Sequence, residues 1–159
     1  MKPVERVLST GILLSFALCV AWLPQSGASS GAQTGAVGVP AYHMQVPDGP
    51  LPATVSPKQF SEPKIQNAYA IAARIKKTLY QQPCYCHCDR SLGHGSLLDC
   101  YVSIHAAGCE ICMRETFYAY EQLKKDKTAA EIRDGIVRGA WQQTDVSKYQ
   151  KYPPAPTRK

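Results

Sequence analysis

Pro83-Cys84-Tyr85-Cys86-His87-Cys88-Asp89-Arg90 carries three thiols within five residues, at C-x-C-x-C spacing. Three more follow. Cys100 comes after eleven intervening residues, Cys109 after a further eight, and Cys112 completes a C-x-x-C pair. So many sulfurs between Cys84 and Cys112 point to soft-metal binding, structural zinc, or disulfide and redox chemistry. Pro83 cannot continue a helix, so it ends the segment before it and delivers the chain into a Cys-rich loop.

Disulfides are a poor fit to this spacing. Bridges from one pentapeptide would have to diverge in three directions, and a C-x-C bridge closes a strained ring. A metal fits better. Alternating cysteines on an extended loop turn several sulfurs towards one point. A C-x-x-C pair at a helix N-terminus adds two thiols whose pKa the helix dipole lowers, and the thiolate is the form that binds metal. Soft thiolates select Cu(I), zinc and iron–sulfur clusters. Six sulfurs exceed the four of a mononuclear zinc site. They suit a Cu(I)–thiolate cluster, or a four-ligand site with two thiols left for exchange. The candidate ligands are Cys84, Cys86, Cys88, Cys100, Cys109 and Cys112.

Outward from the loop, the spacing of apolar residues is helical throughout and no alternating strand pattern appears. Ser61 is a candidate N-cap, with Pro63 in the first turn. Ile65, Ala68, Tyr69, Ala72, Ile75 and Leu79 then share a face up to Pro83. A second helix is predicted from Ser96 to about Ala106, with Ser96 and Asp99 at capping-box spacing and Leu97, Cys100, Tyr101 and Ile104 on one face. A third starts near Cys109, with Cys109, Cys112, Met113, Thr116, Phe117, Tyr120 and Leu123 in one stripe. A fourth opens at Thr128, with Glu131 completing a capping box and Ala129, Ile132, Ile136 and Ala140 inside. The expected fold is all-α: about four helices and a Cys-rich loop over residues 61–143. A core that small is marginal without a staple, which a metal cluster or disulfides would supply.

Residues 1–28 read as an export signal. Lys2 and Arg6 form a basic n-region, and Gly11 to Leu23 an apolar h-region ended by Pro24, followed by small residues. The apolar run is short for a membrane-spanning helix, although an uncleaved anchor is the alternative reading. Cys19 lies inside the run behind Leu18, unlike a lipid-modified cysteine. The protein is therefore expected to be extracytoplasmic: periplasmic, secreted or membrane-tethered. Residues 29–60, rich in Gly, Ser and Pro, read as a flexible linker. Within it Tyr42-His43-Met44 is treated as incidental. Residues 144–159 read as a frayed polar tail.

The net charge is +6 and the pI about 9.0. The basic residues are spread along helical faces and the tail without a run, so nucleic-acid binding is not expected. Cys112 is followed by Met113, so the C-x-x-C-H haem signature is absent. No Ser/His/Asp arrangement, phosphate-cradling loop or acid/base carboxylate pair supports a hydrolase or kinase. His87, on an extended loop, would point away from its neighbours' sulfurs. His94 is a ligand, an orienting group or a loop residue. His105 is read as a structural cation near a helix end. Tyr85 and Tyr101 belong to the core or cover the cluster, and Asp89 pairs with Arg90.

Pro83-Cys84-Tyr85-Cys86-His87-Cys88 resembles the exported bacterial proteins known for a PCYCGC or CYCXC motif. The likeness continues through Gly93-His94, Ser96-Leu97-Leu98, Asp99-Cys100-Tyr101-Val102, Cys109-Glu110-Ile111-Cys112 and Thr128-Ala129-Ala130-Glu131-Ile132-Arg133. It departs at His87, where the first form has Gly. The resemblance implies export, often with a lipid anchor, and the selenocysteine of some members implies reactive sulfur. Three functions stay open. One is a soft-metal protein, Cu(I) favoured over zinc, that stores an ion or passes it to a transfer partner. The second is a thiol oxidoreductase with Cys109 attacking and Cys112 resolving. The third is a structural zinc module that works through its surface.

Overall fold

The computed structural model describes residues 38–152. The predicted signal peptide lies outside the described residues. Every regular element among them is helical: α1 Pro63–Arg74, α2 Lys76–Tyr80, α3 Cys88–Ser91, α4 Asp99–Val102, α5 Glu110–Leu123 and α6 Ala129–Val137, with four short 3-10 turns between and around them.

The long helices α1 and α5 pack on each other and bury the expected stripes. Ala68, Tyr69 and Ala72 of α1, with Leu79 of α2, share one buried core with Cys112, Met113 and Phe117 of α5. Thr128 caps α6 through the predicted reciprocal bonds with Glu131, and Ile132 and Ile136 are fully buried behind it. Cys84, Cys88, Cys100 and Cys112 belong to the same buried cluster as these apolar residues. The thiols are part of the core, not a site hung on its surface.

Within the helices, four features differ from the sequence reading. The first predicted helix is two helices, and its N-cap is Glu62, not Ser61. At Ile75 the backbone leaves the helical region (φ −113°, ψ 29°). Beside it Lys76 Nζ donates to the carbonyls of Leu51 and Pro52 at 3.3 and 3.2 Å, fastening the break to the preceding segment. The second predicted helix shrinks to α4. Ser103 is extended, and its hydroxyl accepts the His105 N–H at 3.2 Å, so the side chain competes with continuation of the helix. Ile104 is consequently exposed instead of facing the core. The predicted Ser96–Asp99 box is half made: Asp99 Oδ2 accepts the N–H groups of Gly95 and Ser96, while Ser96 Oγ is buried without a partner. In α6, Ala140 lies beyond the helix end and is exposed.

The described part of the predicted linker is a strap laid on the helices. Phe60 packs on Tyr69, Val55 N–H donates to the Tyr101 carbonyl at 2.9 Å, and His43 stacks on Tyr80 at 3.8 Å. Ala41 N–H donates to Asp89 Oδ2 at 3.3 Å, so Asp89 holds the strap instead of pairing with Arg90. The predicted tail is likewise docked as far as Lys151. Tyr149 is buried, stacks on Phe117 at 3.8 Å and donates to Glu121 at 2.7 Å. Asn67 Nδ2 donates to the carbonyls of Tyr149 and Lys151, both at 2.8 Å. No helix among the described residues is long and apolar enough to cross a membrane.

Candidate metal centre

The Cys-rich loop is folded, not extended. His87 N–H donates to the Cys84 carbonyl at 3.1 Å, closing a turn, and His87 itself is left-handed (φ 56°, ψ 31°). That turn reverses the chain so that Cys84, Cys86 and Cys88 face one point, and α3 then starts at Cys88. The sulfurs converge through this turn, where the sequence reading relied on strand-like alternation.

Sulfur contacts link the loop to α4 and α5. Cys84 Sγ lies 3.3 Å from Cys86 Sγ and 3.5 Å from Cys112 Sγ. Cys86 and Cys112 are 3.6 Å apart, and Cys88 is 3.3 Å from Cys100. All six cysteines of this region are free thiols. Four sulfurs around one tetrahedral ion at a bond length of about 2.3 Å stand roughly 3.8 Å apart, so the contacts lie within a few tenths of an ångström of that spacing.

Two sets of four donors result, each with all donor atoms within 4.8 Å of one another. One is Cys84, Cys86, Cys88 and Cys100. The other is Cys86, Cys100, Cys112 and His105. The cluster can therefore hold a metal ion. His105, expected to be a structural cation near a helix end, instead has its Nε2 3.8 Å from Cys86 Sγ. The short turn after Ser103, invisible to helical periodicity, brings it there. His94 Nδ1 lies 3.4 Å from Cys100 Sγ, and the two imidazoles meet edge-to-face at 5.3 Å. Both rings are half-buried, which puts them at the rim of a buried sulfur core. His87 joins neither set; its ring meets Tyr85 edge-on at 5.9 Å and its Nδ1 is buried without a partner.

Cys109 stands outside both sets. It is the N-cap of α5, with its sulfur accepting the Cys112 N–H at 3.4 Å. The C-x-x-C pair thus opens α5 as expected, and the pKa of both its thiols is pushed up. Hydrogen bonding with Cys112 pulls the Cys109 pKa down, while contact with Cys86 and burial push it up, and the upward effects win. Cys112 is pushed up chiefly by its contacts with Cys100 and Cys109. The low-pKa thiols are instead Cys86, lowered by bonds from Cys100, Cys109, Cys112 and Cys84, and Cys100, brought down to about 4 by Cys112 and Cys84. Cys84 and Cys88 are pushed up, each most by its contact with Cys100. Cys86 accepts from Cys84 and Cys112, while in the Cys88–Cys100 contact either sulfur can donate.

Two neighbours hold the frame. Tyr101, fully buried, donates to the Cys112 carbonyl at 3.0 Å and fixes the first turn of α5 on α4. Glu115, fully buried one turn after Cys112, accepts the Tyr85 N–H at 2.9 Å and so ties the loop to α5. Its second oxygen has no partner, and burial raises its carboxyl to about 8. Nothing in the sequence singled it out, because on a helical wheel it falls beside the apolar stripe as an ordinary charged residue.

No curated protein and no solved structure matches the chain. A family model, described as protein of unknown function with PCYCGC motif, matches residues 51–146. That stretch takes in the end of the strap, all six helices and all six clustered thiols, and the chain belongs to the PCYCGC-motif family.

Proposed function

We propose that this protein is an exported soft-metal-binding protein, Cu(I) favoured over zinc, that sequesters an ion or delivers it to a partner protein. One observation carries the reading: loop and α5 thiols touch at 3.3–3.6 Å, α3 and α4 thiols at 3.3 Å, and donors from both groups lie within 4.8 Å of one another inside the core. Thiolate donors prefer soft ions, and burial suits an ion that must be held away from water and oxidants. Cys84, Cys86, Cys88, Cys100 and Cys112 form the inner donor set, and Cys109 is the sixth thiol at its edge. The half-buried His94 and His105 offer the opening through which an ion passes to a partner.

Export rests on residues 1–28, whose basic and apolar regions have signal-peptide character. The site would then be filled outside the cytoplasm. The test is to purify the protein anaerobically from cells supplied with copper and zinc, and to count metals and free thiols per chain. Bound copper with protected thiols supports the proposal. One zinc per chain, with unfolding on chelation, would favour the structural module. A metal-free protein with paired cysteines would favour redox chemistry. In a Cys86→Ser, Cys88→Ser double variant tight binding should be lost; unchanged stoichiometry would overturn the assignment.

A further inference from the structure

Resting on the metal-binding reading, we propose that the centre holds two ions in one cluster, with Cys86 and Cys100 as bridging thiolates. The two donor sets overlap in these two residues. Each set separately has the four donors of a tetrahedral site. The first ion would take Cys84 and Cys88 as terminal ligands, and the second Cys112 and His105.

A single ion does not account for the donors present. Placed among Cys84, Cys86, Cys88 and Cys100, it leaves Cys112 fully buried with its sulfur 3.5 and 3.6 Å from two ligands. It also leaves His105 Nε2 facing Cys86 Sγ at 3.8 Å. Placed in the other set, it strands Cys84 and Cys88, which are both buried. Bridging resolves both cases, because a thiolate sulfur has lone pairs for two ions. Charge points the same way for divalent ions. One such ion against four thiolates leaves two uncompensated negative charges in the core. Two ions against five thiolates and a neutral imidazole leave one. Buried charge is costly unless paired, so the second ion stabilises what the first cannot.

The two halves differ in chemistry. The Cys84/Cys88 half has only sulfur donors, all but Cys86 buried, while the Cys112/His105 half reaches the rim through a half-buried imidazole. The all-sulfur half should fill first and hold its ion more tightly. The second ion, with one nitrogen ligand at the edge, is the one available for exchange.

The experiment is an anaerobic titration of the full, reduced, metal-free chain with 113Cd(II), read by native mass spectrometry and proton–cadmium correlation spectra. Two cadmium ions per chain and two cadmium resonances are expected. The β-protons of Cys86 and Cys100 should correlate with both resonances, those of Cys84 and Cys88 with one, and those of Cys112 with the other. His105→Ala should lose the second ion and keep the first. Saturation at one ion, or two ions sharing no cysteine, would overturn the bridged pair while leaving metal binding intact. No retained cadmium would overturn both.

Discussion

His87 occupies the place where the PCYCGC motif has glycine, and the structure gives that place a left-handed backbone (φ 56°, ψ 31°). A residue with a Cβ pays about 1–2 kcal/mol in this conformation. Glycine avoids that strain but loses about 0.5–1 kcal/mol more chain entropy on folding. Alanine shares the strain of histidine, so His87→Gly should be more stable than His87→Ala by about 1 kcal/mol. This reverses their usual order in regular structure. Against histidine itself, both variants lose the edge contact with Tyr85, worth about 0.5–1.5 kcal/mol. Both also remove a buried Nδ1 with no partner, an imbalance of about 1–3 kcal/mol. These two effects largely offset each other. The expectation is that His87→Ala stays near wild type and His87→Gly exceeds it by about 1 kcal/mol, several degrees in Tm for a domain of this size. Thermal and urea unfolding of the three reduced, metal-free proteins, followed by circular dichroism, would measure this. Alanine equal to or better than glycine would refute the left-handed turn, and with it the account of how Cys84, Cys86 and Cys88 converge.

Glu115→Gln keeps the acceptor for Tyr85 N–H but cannot ionise. The folded carboxyl titrates near 8 against an ordinary 4.5, so ionising it costs nothing below pH 4.5 and progressively more up to pH 8. Metal-free wild type should therefore lose stability relative to Glu115→Gln across that window, by at most roughly 5 kcal/mol; parallel stability–pH curves would show that the carboxyl is not held in the core. Cys109→Ser should leave metal stoichiometry unchanged by mass spectrometry, with stability within about 0.5 kcal/mol, because serine is a good N-cap and Cys109 lies outside both donor sets. Loss of an ion in that variant would make Cys109 a required ligand. Tyr149→Ala should cost about 3–5 kcal/mol, as for other buried aromatic residues, since the ring stacks on Phe117 and donates to Glu121. A frayed tail predicts almost no change in urea midpoint.

The helices carrying the core were legible because their apolar residues repeat with the helical period and because Thr128 and Glu131 announce a start. The convergence of thiols was legible in part, since C-x-C-x-C and C-x-x-C are short-range patterns. What was not legible depends on contacts between distant residues. The strap has no period of its own. It is held by bonds such as Ala41 to Asp89 and Lys76 to Leu51, which no local pattern reveals. His105 looked like a helix-end cation because the helix was drawn through Ser103, and the extended backbone there is what turns the imidazole towards Cys86. Helix position alone likewise suggested that Cys109 would be the activated thiol. Contact with Cys86 and burial push its pKa up, and the thiols whose pKa falls are Cys86 and Cys100 instead.

That proton distribution bears on how the domain is stapled. Without an ion, the buried sulfurs stay together by sharing protons, with Cys84 and Cys112 donating to Cys86. Metal binding must expel those protons, because the ligand is the thiolate. Affinity should therefore rise with pH for as long as Cys84, Cys88 and Cys112, all pushed up, retain theirs. The same sulfurs are packed in one cluster with Tyr101, Leu79 and Phe117. Ions in the two donor sets would between them join the loop, α3, α4 and α5, so their binding free energy acts directly as folding free energy. In a domain with a small apolar core, cargo and staple are then one object. Under the proposed delivery role, the ion would leave by the half-buried edge where the His94 and His105 imidazoles meet, since the other donors are mostly buried.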